Sequence, residues 1–404
     1  MKSVCVVGAG IVGCATAYQL ARLGVDVVLV DEGAGPGLQT SFANGAQLSY
    51  SYVEPFASPS TLSALPAMLL SRDSPVKFRL RADWRQWDWG LRFLAACRAS
   101  RVREGTARLL ALASLSRVTL ERWMRDEAWQ FSFARNGKLV LCPDTASLKH
   151  QEAQVALQAK LGCRQEILTP DECRRTEPAL DLDALGGCAG GVWTPDECVA
   201  DPYLLCRELV HSLAALGGRA VFGERVQSFV REGSRLVAAV TSREEIRADA
   251  FVLAAGPQSV RLAAEVGVHL PIYPIRGFSI TLPFANRRRP CVSVTHLGRK
   301  TVFAPLGDAL RVAAMAEIDG YGLAVPAARV AAMSASVAAL YPNVCDPSTP
   351  RPWAGLRPST PDSLPIVERI RDSNLFVNVG HGSLGLTLAV GTAERVADLV
   401  LGAA

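Results

Sequence analysis

The chain begins with a short apolar run at residues 4–8, rich in valine and with no charged position. Such a run reads as a strand buried on both faces. Helical periodicity follows to Leu23, Gly24 stops it, and residues 25–30 form a second apolar run that ends at Asp31-Glu32. The order predicts a strand–helix–strand unit. Residues 60–130 carry long helical periodicity. A strand is predicted near 138–142, a helix near 146–161 and a short helix beginning at Thr169-Pro170, with proline in its first turn. Asp201-Pro202 opens a helix to Leu216, and short strands follow at 220–222, 226–230, 236–241 and 250–254. Residues 273–282, 292–295, 301–304 and 310–315 alternate like an antiparallel sheet. A helix at 326–340, a strand at 375–378 and a last helix at 387–401 complete the pattern.

This pattern predicts a mixed α/β and α+β protein, in which a Rossmann-like dinucleotide-binding domain is interleaved with an antiparallel-sheet substrate domain. The first domain is expected from residues 1–82, 195–262 and 352–404, the second from 83–194 and 263–351. Length and composition agree. The 404 residues with 49% hydrophobic and 20% charged positions suit two domains and exclude a disordered or collagen-like chain.

The first turn reads Gly8-Ala9-Gly10-Ile11-Val12-Gly13. Glycines at this spacing allow a tight turn, close approach of backbone to a pyrophosphate, and close helix–strand packing. The helix N-terminus adds free N–H groups and partial positive charge. Asp31, with Glu32 beside it, lies where an acid accepts hydrogen bonds from a ribose, and an acid there disfavours a 2′-phosphate. A plain packing turn is the alternative. Near the other end, Gly380-His381-Gly382-Ser383-Leu384-Gly385-Leu386-Thr387 has the form of a second glycine loop opening a helix. Reduction of a flavin places negative charge on its pyrimidine edge, which a helix N-terminus stabilises. A second loop of this kind therefore favours FAD over NAD.

Charge and cysteines exclude other classes. A net charge of +5 is too weak for nucleic-acid binding unless the basic residues cluster. The 11 cysteines make no CxxC pair, so no zinc or other metal site is expected. Buried free thiols in a reducing, cytoplasmic compartment are expected, with no secretory leader. Residues 373–393 lack charge, but their four glycines, Asn374, Asn378 and His381 argue for strand, turn and helix over a membrane span.

Taken in order, these landmarks resemble the FAD-dependent D-amino acid oxidase superfamily, and within it the bacterial D-amino acid dehydrogenase group. The resemblance runs from Val4 to Leu401. It is carried by the first glycine loop, residues 40–47 (TSFANGAQ), residues 249–256 (DAFVLAAG), Pro274-Ile275-Arg276-Gly277, Met315-Ala316-Glu317, Gly355-Leu356-Arg357-Pro358 and the GHGSLG turn. The resemblance implies noncovalent FAD, because Gly355 stands where covalent-flavin relatives carry cysteine. It implies that Thr40, Ser41, Ala43, Asn44, Gly45, Ala46, Gln47 and Leu48 wrap the pyrophosphate and ring. It further implies that Val226 meets the adenine side, that Ala255-Gly256 lie beside the ADP moiety, and that Gly382, Ser383, Leu384, Gly385 and Thr387 face the flavin. Arg357 is implied to fork onto the substrate carboxylate and fix Cα over flavin N5; pairing with Asp362 is the alternative. Tyr52 either borders the substrate pocket or packs in the core. His381 either contacts the flavin or caps the turn.

The implied reaction is hydride transfer from Cα of a D-amino acid to flavin N5, giving a 2-oxo acid and ammonia, with electrons passed to quinone or another carrier. Arg299 stands where the dehydrogenase pattern has tyrosine, which keeps D-proline or cis-4-hydroxy-D-proline open as substrate. A glycine/sarcosine-type oxidase and a noncatalytic FAD-binding subunit are the competing readings. Finally, residues 77–108 hold nine basic and three acidic residues, and five of the seven tryptophans fall at Trp84, Trp87, Trp89, Trp123 and Trp129. Either this insert touches the inner membrane face peripherally, or it is a solvated basic helix with tryptophans packed inward.

Overall fold

A computed structural model of the chain describes residues 2–70, 76–371 and 373–402. The first apolar run forms the strand Ser3–Val7 at the heart of a sheet with six strands among the described residues. Across the sheet the order is Ile366–Arg369, Leu375–Val379, Ala250–Leu253, Ser3–Val7, Asp26–Asp31 and Arg219–Phe222. All neighbours run parallel except the outermost Ile366–Arg369. Alternation explains why the central strand is apolar throughout. Val4 and Val6 enter a core made with helices Ile11–Arg22, Ala99–Asp126, Pro202–Ala215 and Gly385–Leu401. Cys5 and Val7 enter the opposite core, closed by the meander of Ser228–Glu232, Arg235–Val240 and Glu245–Arg247 and by helix Ser259–Glu265.

Among the described residues the second sheet has nine strands and is mainly antiparallel. Its order is Arg351–Ser359, Tyr273–Pro283, Ala309–Ile318, Thr301–Leu306, Ser293–His296, Lys138–Cys142, Gly190–Thr194 and Glu166–Leu168, with Val76–Phe78 paired beside Ala309–Ile318. One face packs on helix Ala327–Leu340 through Phe278, Ile280, Val312 and Leu139. The other face carries Lys138, Gly277, Ser279, Gly355 and Arg357, the intervening residues of a period-two pattern.

The two sheets draw on alternating stretches of chain, so the fold is interleaved. Val76–Phe78 lies before the expected boundary at 82/83 yet pairs in the larger sheet beside Ala309–Ile318, where Arg79 and Arg81 form ion pairs with buried Asp319 just past the end of that strand. Arg351–Ser359 likewise crosses the expected boundary at 351/352 and belongs to the larger sheet. All 11 cysteines are free thiols and eight of them are buried. Among the described residues no helix is long and apolar enough to cross a membrane.

Candidate active site

Where the two sheets face each other they enclose a cavity of about 880 Å³, within the range of about 300–1,000 Å³ usual for ligand sites. One end is built by the first glycine loop. Gly8 has φ +106°, and a Cβ there would lie 2.6 Å from Cα of Ala255. Ala9 N donates to Asp31 Oδ2 at 2.6 Å and Gly33 N to Oδ1 at 2.7 Å, which ties the loop to the end of the second strand. Burial raises the pKa of Asp31, against the pull of those two bonds. Each carboxylate oxygen keeps further acceptor capacity, and Asp31 lines the cavity. Glu32, Val226, Ala255 and Gly256 line the same end, where Val226 O accepts from Arg261.

Residues 40–47 run between the sheets. Thr40 Oγ1 donates to Leu356 O, Ser41 Oγ accepts from Ile11 N, and Ser279 Oγ donates to Ala43 O. Asn44 Oδ1 accepts from Ala46 N, which stabilises the positive φ of Ala46. Gln47 Nε2 donates to Ser293 Oγ at 3.1 Å. The last helix points its N-terminus into the cavity through Gly382, Ser383, Leu384, Gly385 and Thr387.

Most of the residues singled out from the sequence thus share one wall system: Gly8, Ala9, Gly10, Ile11, Val12, Asp31, Gly45 and the others just named all line the cavity. Two do not. Gly13 lies behind the loop, where a Cβ would come within 1.7 Å of Gly8 O, so its part is helix–strand packing. Leu48 is buried in the helical core.

Arg357 lines the cavity from the strand Arg351–Ser359. Its Nη1 donates to Met315 O at 3.3 Å, and burial lowers its pKa. Among the described residues it forms no ion pair with Asp362, whose Oδ1 accepts from Leu364 N; the Asp362 alternative therefore falls. Met315 sits in a bulge opposite Gly277 with φ +69°, a conformation costly for a non-glycine residue. Gly277 has no Cβ because one would lie 2.4 Å from Arg357 Nη2. His381 is buried and its Nε2 is 3.0 Å from Thr392 Oγ1 in the last helix. Its ring does not cap the turn, which corrects that alternative. Burial pushes its pKa down to about 3, so it is neutral. Arg299 turns away to Ser336 and does not line the cavity, whereas Lys300 does.

Sequence reasoning missed Lys138 and Glu197. Lys138 reaches the cavity beside Tyr52, with Nζ 4.2 Å from the tyrosine ring centroid. Glu197 accepts from the backbone N–H groups of Tyr50, Ser51 and Tyr52 and so shapes that loop. The available signal was a lone lysine opening an otherwise apolar five-residue strand.

A parallel sheet with a glycine loop at its first turn, joined over one cavity to an antiparallel sheet bearing a half-buried arginine, defines a dinucleotide-dependent oxidoreductase. The family model "FAD dependent oxidoreductase" matches residues 3–399, and the chain belongs to this family. The "D-amino acid dehydrogenase 2" of Ralstonia nicotianae is 44% identical over 408 residues, covering 98% of this chain and 96% of that protein. The protein of the same name from Pseudomonas aeruginosa is 41% identical, covering 99% and 95%. Among solved structures, glycine oxidase from Geobacillus kaustophilus superposes with TM-score 0.75 at 22% identity, covering 100% of this chain and 95% of that one. L-proline dehydrogenase from P. horikoshii gives 0.72 at 19%, covering 100% and 94%.

The residues fit FAD. The glycine cradle leaves backbone N–H groups open, Asp31 presents free lone pairs, and two helix N-termini enter one cavity with no acid in either first turn to repel phosphate or an anionic ring.

Proposed function

We propose that the chain oxidatively deaminates D-amino acids, with Arg357 binding the substrate carboxylate. The observation that carries this is a half-buried guanidinium in the cavity wall with no acidic partner among the described residues. A guanidinium drawn partly out of water without a counter-ion is costly, and a carboxylate ligand supplies one. The relatives named D-amino acid dehydrogenase, alike over nearly their whole length, support the same substrate class.

FAD, when bound, supplies the acceptor for two electrons and the hydrogen at Cα. The chain's own residues do the rest. The loop at residues 40–47, the first glycine loop and the N-terminus of the last helix hold the cofactor, and Tyr52 borders the substrate. Arg357 orients the carboxylate, and Met315 O with the bulge beneath it holds Arg357 in place. Neutral His381, bound to Thr392, packs beside the last helix and keeps the turn rigid. Catalysis rests on orientation and on electrostatic support of the reduced state. Water then converts the imino acid to 2-oxo acid and ammonia. Noncovalent FAD is supported by the lining, which contains no cysteine among the described residues.

The electrons pass to quinone or another carrier at a membrane surface. Supporting this, helix Trp84–Ala96 buries Gln86, Trp89, Phe93 and Ala96 and turns Trp84, Trp87, Leu91 and Leu94 to solvent, with Arg85 and Arg92 alongside. Exposed Trp and Leu with Arg suit the interface of an anionic bilayer.

The test is anaerobic mixing of the FAD-loaded protein with a panel of D-amino acids, including D-alanine and cis-4-hydroxy-D-proline. Flavin bleaching with release of 2-oxo acid and ammonia is expected, and L-enantiomers should leave the flavin oxidised. Reduction only by glycine or sarcosine, with peroxide formed in air, would contradict the reading.

A further inference from the structure

In the strand Lys138–Cys142, Leu139 and Leu141 enter the core on one side of the larger sheet, and Lys138 points to the other side, into the cavity. It is only 3% exposed. Buried lysines are ordinarily paired with an acid. Here Nζ donates to Ser49 Oγ at 3.0 Å and lies over the Tyr52 ring. An ammonium has three donors, and the hydroxyl uses one. Glu197 acts on Lys138 through its charge, yet its oxygens are engaged by three backbone N–H groups. Glu54, on the same wall, faces His150 at 3.9 Å. No carboxylate lies within ion-pairing distance of Lys138 among the described residues. Burial pushes its pKa down to about 8, so most molecules still carry the ammonium at neutral pH.

Among the described residues the cavity therefore holds two cations with no carboxylate in ion-pairing contact, half-buried Arg357 and buried Lys138, the latter feeling the charge of Glu197 from beyond that distance. Their chemistry differs. The planar fork of arginine matches a carboxylate held in a fixed plane, while the point charge of lysine suits one oxygen at the end of a flexible chain. The Tyr52 face offers apolar surface for the methylenes between.

We propose that Lys138 and Tyr52 form a second anion-accepting subsite of this cavity, which receives a carboxylate on the substrate side chain and makes acidic D-amino acids the preferred substrates. The inference rests on the D-amino acid reading of the Arg357 site.

D-Glutamate and D-glutamine nearly match in shape and differ in charge, so they isolate this contact. With FAD-loaded full-length protein, the kcat/KM for anaerobic flavin reduction is expected to favour D-glutamate over D-glutamine by about tenfold or more. Lys138→Met should bring that ratio to within about threefold of one. Equal rates for the two in the unaltered protein, or an unchanged ratio in Lys138→Met, would overturn the proposal. A binding measurement covers the case in which the variant fails to fold. Glutarate should perturb the flavin spectrum of the unaltered protein with a Kd about tenfold lower than butyrate, and equal Kd values would overturn the subsite. If no D-amino acid reduces the flavin but glutarate still outbinds butyrate, the deamination reading fails and the subsite stands. If D-alanine reduces it while glutamate gains nothing over glutamine, the subsite fails and the deamination reading stands.

Discussion

Gly277 sets where Arg357 can lie. The two residues are near neighbours on adjacent strands, and a methyl group at 277 would meet the guanidinium carbon at 2.6 Å. Gly277→Ala should therefore push the fork out of place. The expected result is a KM for D-amino acid raised about 10- to 100-fold with FAD still bound, since misplacement by about 1 Å carries penalties of that order. Steady-state kinetics with an artificial electron acceptor checks it, and an unchanged KM would show that the fork has room to spare. His381 offers a second residue-level test. Its pKa is about 3 in the folded chain and near 6.5 when exposed. Between those values the unfolded chain binds a proton that the folded chain does not, so stability falls as pH drops from 6.5 toward 3. The slope is about 1.4 kcal/mol per pH unit. His381→Gln, which keeps a partner for Thr392, should flatten the acid limb of urea-melt stability in that window. An identical limb would remove His381 from the account. At this scale Arg357 was legible because GLRP is a distinctive string, whereas Gly277 and Lys138 were not. Their parts depend on a cross-strand neighbour and on which sheet face turns to the cavity.

Helix Trp84–Ala96 shows how an element can carry two faces that composition alone leaves undecided. Trp89 is buried and its Nε1 donates to Ser359 O, while Trp84, Trp87 and Leu91 are 63%, 51% and 67% exposed. Spacings of three and four residues place these three on one stripe. The tryptophans of the insert thus divide between the two readings, with Trp89, Trp123 and the half-buried Trp129 facing inward. Replacing Trp84, Trp87 and Leu91 together by serine should lower cosedimentation with vesicles of anionic lipid about tenfold or more, since apolar burial sets interfacial affinity. Sedimentation equal to that of the unaltered protein would end the membrane reading. Most of the longer strands and helices were legible from periodicity, but the nine-residue strand Arg351–Ser359 was not, because its two prolines and the charges of Arg351 and Arg357 hide the alternation. The short strands Gln47–Leu48, Val76–Phe78 and Ile366–Arg369 were not, because their partners, and not their own sequence, make them extended. The helical stretch at residues 60–130 is also interrupted at Cys97-Arg98, where neither glycine nor proline marks the break.

Across the whole molecule, the interleaving of the two sheets is what creates the cavity. The chain crosses between sheets several times, and each crossing leaves part of the wall: the loop at residues 40–47, the strand bearing Arg357, and the turn into the last helix. The glycine loop and the GHGSLG turn lie more than 360 residues apart in sequence and meet over one cavity. The charge is as unevenly distributed as the chemistry. Residues 77–108 carry a surplus of six positive charges, so the remainder of a chain of net +5 is close to neutral. Arg357 stands at the centre of this arrangement, and the claim that it receives the substrate carboxylate can be tested directly. FAD-loaded Arg357→Ala should keep the absorbance of bound flavin and, mixed anaerobically with D-amino acid, reduce it at least about 100-fold more slowly than the unaltered protein. Reduction at the unaltered rate, with FAD fully bound, would contradict the account.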